Sequence, residues 1–103
     1  MEHPPLKVIL HAPTPAALER ARNNAANLRR ADPQADVRVI VNAQAVAAAL
    51  DVVRADQDPI TWLCPNTLTR IGRPAREPLQ VLDKPAVLEL ALLQQAGWVY
   101  IRA

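Results

Sequence analysis

Five short apolar runs alternate with segments of helical periodicity along the 103 residues of this chain. That alternation constrains the fold more than any single motif, because parallel neighbours in a sheet need crossovers long enough to hold a helix. Residues 6–11 (LKVILH), 37–41, 60–64, 79–82 and 98–102 read as strands. After the first of them, Thr14 and Pro15 form an N-cap and first-turn pair. Ala17, Leu18, Ala21, Ala25 and Leu28 then recur at helical spacing, against a solvated face of Glu19, Arg20, Arg22, Asn23, Arg29 and Arg30. Asp32-Pro33 ends this helix. The alanine-rich stretch 43–53 predicts a second helix. Asn66 and Thr67 cap a short third one that runs to about Ile71 and breaks at Gly72-Arg73-Pro74. Residues 85–96 predict a fourth, closed by Gly97 in a left-handed conformation. The expected architecture is α/β: a three-layer α/β/α sandwich with a five-stranded, mostly parallel sheet, in one domain spanning residues 1–103. A chain of this length buries roughly two-thirds of its unfolded surface and folds without staples.

Composition removes whole classes of chemistry. The chain has no serine, so no serine nucleophile exists. Gly72 and Gly97 are its only glycines, which excludes a P-loop and a GxGxxG dinucleotide fingerprint, both of which need clustered glycines. His3, His11 and Cys64 lack the paired spacing of zinc sites, so neither a metal nor another cofactor is expected. A single cysteine allows no internal disulfide. With an amino terminus lacking a basic, apolar leader pattern, it points to a cytoplasmic setting. No run approaches the ~20 apolar residues that span a bilayer, so no membrane association is expected. The twelve basic residues are dispersed among ten acidic ones for a net charge of +2, which gives no reason to expect a nucleic-acid partner.

In open α/β sheets, ligands lie beyond the carboxyl ends of the strands, and His11, Asn42 and Cys64 each fall at such an end. Cys64 is the strongest candidate for chemistry, because a thiol at a strand-to-helix corner can face amides whose partial positive charge favours thiolate. The competing reading is a small buried hydrophobe beside a strand.

Several segments resemble the DsrE/DsrF-like family, in particular its small single-domain members. They are Lys7-Val8-Ile9-Leu10-His11, Asn24-Ala25-Ala26-Asn27-Leu28, Val39-Ile40-Val41-Asn42, Leu63-Cys64-Pro65-Asn66-Thr67-Leu68, and Leu93 through Ile101 with its Gln-x-x-Gly-aromatic-x-Tyr pattern. The likeness runs over nearly the whole chain. It implies an α/β/α fold, assembly into homo- or hetero-oligomers with trimers or hexamers suited to it, and a cysteine that carries sulfur as a persulfide. Here that residue is Cys64. The chain departs from the family pattern at Ala43, where relatives often have glycine, and in a shorter segment between Leu50 and Ile60.

The expected function is therefore a sulfur carrier or relay protein in intracellular sulfur metabolism, exchanging sulfur with a donor or acceptor protein. In this reading Cys64 is the nucleophile, and Asn66 and Thr67 supply helix-start amides and side-chain hydrogen bonds. His11 serves as a proton partner, or else is a neutral histidine held at a strand end. Asn42 belongs to the same binding edge. Arg70, Arg73 and Arg76 draw in an anionic donor or acidic partner, or else form a solvated basic loop. The rival function is a non-catalytic oligomeric module that binds a small ligand or a protein. A homo-oligomer is expected either way, because Val87, Leu88, Leu90, Ala91, Leu92 and Leu93 make the last helix apolar around most of its circumference.

Overall fold

The computed structural model describes residues 3–103. Strands β1 (Lys7–Ala12), β2 (Asp36–Val41), β3 (Thr61–Leu63), β4 (Gln80–Val81) and β5 (Val99–Arg102) form one sheet in the order β4-β3-β2-β1-β5. Every pairing in it is parallel. The helices are α1 (Pro15–Ala31), α2 (Gln44–Asp51), α3 (Pro65–Ile71) and α4 (Ala86–Gln95). None of them is long and apolar enough to cross a membrane.

Stepping outward from β1 to β4 places α1 and α2 on one face, where Ala17, Leu18, Ala21, Ala45, Val46 and Ala49 pack on Val8, Leu10, Val39 and Val41. Leu68 of α3 joins the same cluster. The return from β4 past β1 to β5 carries α4 over the opposite face, where Ala86 and Leu90 cover Ile9, Ile40, Leu82 and Trp98. The three layers predicted from the strand and helix pattern are thus present, with the small alanine side chains letting α1 and α2 lie close to the sheet. On the α4 face, Arg38 stacks between Trp62 and Trp98, its guanidinium carbon 5.4 and 4.6 Å from the two ring centroids.

Thr14 caps α1 as expected, its hydroxyl accepting from the Ala17 N–H at 3.1 Å, and Pro15 fills the first position. Arg22 does not belong to the solvated face. It is buried, because the loop after α2 folds over α1 and places the Asp58 carboxylate against its guanidinium at 3.2 Å. The predicted second helix is also shortened, ending at Asp51 rather than Val53, and leaves Val52 and Val53 exposed. Arg76 accounts for that early end: its guanidinium donates to the carbonyls of Ala49, Leu50 and Val52, which takes up the helix's free acceptors. Asp58–Ile60 forms a 3₁₀ turn in place of the first residue predicted for the third strand, held by the Thr61 hydroxyl donating to the Gln57 carbonyl at 2.8 Å.

Ala43 precedes α2 with φ 50° and ψ −139°, a left-handed conformation that disfavours any residue with a Cβ. Ala43→Gly is expected to raise stability by about 1 kcal/mol, since relief of strain outweighs the added freedom of the unfolded chain. Urea unfolding measures this, and a lower midpoint for the variant would contradict it.

Candidate functional site

The connections after β3 and β4 leave for opposite faces of the sheet, so a crevice opens between their carboxyl ends. Cys64 sits in that crevice. Its backbone N–H continues the sheet by donating to Val41 O at 2.9 Å, and its carbonyl accepts from Leu68 as the first helical bond of α3. Cys64 is therefore the N-cap residue itself, with Pro65 at the first helical position. The sequence reading placed the cap at Asn66 and Thr67; proline's fixed φ starts the helix earlier and puts both residues inside its first turn.

This placement sets the electrostatics of the thiol. Burial by itself pushes the Cys64 pKa up. Against it act the Ala86 N–H, 3.5 Å from Sγ at the start of α4, the Thr67 N–H and hydroxyl, and the Asn66 N–H, and the net shift is downward from the usual thiol value. The sulfur thus lies between two helix starts that arrive from different directions. Asn66 contributes its backbone rather than its side chain, whereas Thr67 contributes both.

The thiol is only 6% exposed, yet it lines a cavity of about 260 Å³. Asn42, Ala43, Asn66, Thr67 and Arg70 form its walls, with Val87 at the α4 side. His11 makes no hydrogen bond to Cys64. Its Nε2 lies 2.9 Å from Asn42 Oδ1, and its Nδ1 lies 2.6 Å from the Tyr100 hydroxyl, which can donate or accept. Of the expected residues, Asn66 and Thr67 face the sulfur, Asn42 and Arg70 line the same cavity, and His11 reaches it only through Asn42.

The other two arginines lie elsewhere. Arg73 pairs with Asp51 at 2.8 Å on the surface, and Arg76 is committed to Asp58 at 2.8 Å and to the end of α2. Arg70 alone keeps a guanidinium at the cavity.

Ala86 and Tyr100 were not among the sequence candidates. Pro85 before an apolar helix marks a helix start whose amides need acceptors, but only the strand order shows that this start faces Cys64. The same holds for Tyr100, which reaches His11 because β5 lies beside β1. Comparison with protein-family models and with curated proteins finds no match to this chain.

Proposed function

We propose that the protein is a sulfur carrier that uses Cys64 as a persulfide-forming nucleophile. The supporting observation is the sulfur held in a cavity between two helix starts, with amide and hydroxyl donors that favour its thiolate. The resemblance of the segments around Cys64 and Gly97 to DsrE/DsrF-like proteins points the same way. In the transfer, the Cys64 thiolate attacks the outer sulfur of a persulfide donor. A new S–S bond forms at Sγ, the donor's S–S bond breaks, and the donor leaves as a thiolate that takes a proton from solvent. No net oxidation or reduction is required. Arg70 supplies positive charge for an anionic donor or the acidic surface of a donor protein.

The low exposure of Cys64 favours a second reading, a binding module whose thiol is structural. The rate of alkylation by a small reagent against pH separates the two. For the carrier, Cys64 reacts in the folded protein with a midpoint below that of an ordinary thiol, and Thr67→Val moves the midpoint upward because the hydroxyl donor is gone. Reaction only after denaturation would establish the structural thiol.

We also propose a homo-oligomer. A single helix covers the α4 face, and Val87, Leu88 and Leu92 stand exposed on its outer side, Val87 at 74%. Beside it, β5 is an edge strand with Val99, Tyr100 and Ile101 exposed, so both apolar surface and unpaired backbone await a partner. Light scattering at micromolar concentration is expected to give a mass above 11.3 kDa by a whole multiple, and a monomer throughout would count against assembly.

A further inference from the structure

Pro15, Leu18, Glu19 and Arg22 follow one another at i, i+3, i+4 and i+7, which puts them in a single stripe along α1. Across from the stripe, α2 is rich in alanine and stops at Asp51, so small side chains leave the space between the two helices unfilled. A cavity of about 390 Å³ lies there, walled by Pro15, Leu18, Ala48 and Val52. That volume is at the lower end of the roughly 300–1,000 Å³ of small-molecule sites. It shares no lining residue with the Cys64 cavity. Two guanidiniums also line it, and both are short of acceptors. The Arg22 side chain is 3% exposed. Of its five N–H donors, Nη1 serves the Val52 carbonyl and Nη2 serves Asp58, while Nε is buried without a partner among the described residues. Asp58 is itself divided between Arg22 and Arg76. Arg54 makes no side-chain hydrogen bond among the described residues, and its nearest carboxylate is the exposed Asp56 at 3.7 Å.

We propose that this cavity is a second binding site, for a small organic anion that carries a carboxylate on a compact apolar body. Arg22 and Arg54 meet the head group, and Leu18, Ala48 and Val52 meet the body. The lining decides the class. An inorganic anion would leave the apolar walls bare, a cation would meet two guanidiniums, and a neutral apolar molecule would bury their donors without acceptors. Glu19 is the one opposing charge in the lining. It is exposed and forms no ion pair with either arginine, so water screens it, whereas the Arg22 charge is held where screening is weak. The site is independent of any chemistry at Cys64.

The test titrates the full chain, at pH 7 and constant ionic strength, with three probes of one chain length: hexanoate, hexan-1-ol and hexylamine. Amide NMR shifts report the place and the affinity of binding. Hexanoate is expected to give saturable shifts confined to α1, α2 and the segment through Arg54, with an affinity several-fold above that of hexan-1-ol, and hexylamine none. Arg54→Gln keeps the backbone N–H that serves Asp58 and removes only the guanidinium, so the fold should stand. It is expected to weaken hexanoate roughly three- to tenfold and leave hexan-1-ol unchanged. Ala48→Leu places added carbons at the cavity wall and should weaken both, while Glu19→Gln should strengthen hexanoate alone. Hexan-1-ol binding as tightly as hexanoate would reduce the cavity to an apolar groove and overturn the proposal. So would hexanoate shifts that ignore both Arg54→Gln and Ala48→Leu, or no saturable shift at all.

Discussion

Asp58→Ala is expected to lower the free energy of unfolding by about 3–5 kcal/mol, the range for removing one partner from a buried ion pair. The Asp58 side chain is fully buried. One oxygen accepts from Arg22 at 3.2 Å, and the other from Arg76 at 2.8 Å and from the Arg54 backbone N–H at 3.2 Å. Arg22 is itself buried, and that burial pulls its pKa below the usual guanidinium value, with Asp58 opposing the shift. Without the carboxylate, a desolvated cation would stand against α1 with only the Val52 carbonyl, at 2.9 Å, as acceptor. The Arg22 Nε is already buried and unpartnered among the described residues, so little tolerance remains. Urea unfolding should show a lower midpoint with an unchanged slope. The paired replacement Arg22→Met with Asp58→Leu should recover part of the loss, because it removes the Arg22 and Asp58 charges together while Arg76 and the Arg54 N–H still lose their acceptor. A loss under about 1 kcal/mol for Asp58→Ala would mean that water enters the cluster and screens it.

Cys64→Ala is expected to fold and assemble like the wild type while losing persulfide formation altogether. The truncation removes one sulfur atom beside an existing cavity and leaves the Ala86 N–H without its acceptor, at a cost of about 1 kcal/mol. After incubation with polysulfide, intact-mass spectrometry should show the wild type heavier by one or more sulfur atoms and the variant unchanged. The chain has no second cysteine, so no other thiol can take the sulfur. Equal gain by both proteins, or by neither, would end the carrier reading.

Periodicity and capping chemistry made the elements of this fold legible. Thr14-Pro15 opens α1, Gly72 closes α3 with φ 67°, and Gly97 follows α4 with φ 97°. What periodicity missed depends on contacts distant in sequence. Arg22 was placed in solvent because its helical position borders the polar face; only a partner 36 residues away, at Asp58, makes its burial tolerable. Arg76 looked like part of a basic loop, yet it closes α2 from the far side of β3. At the candidate site, the strand-end rule gathered His11, Asn42 and Cys64 on one edge, which is where they stand. It carried no information about which of them touch, because the inner contacts are set by the β3/β4 crevice and by β5 lying next to β1.

The arrangement of Arg38 between Trp62 and Trp98 gives the molecule a one-sided optical reporter. These are its only tryptophans, and both lie on the sheet face covered by α4. Their emission therefore follows the α4 layer and is silent about α1 and α2, which dominate the far-ultraviolet dichroism through their length. Agreement between the two signals during unfolding would mean that the layers separate from the sheet together, and a gap between them would isolate a form that has shed α4 alone.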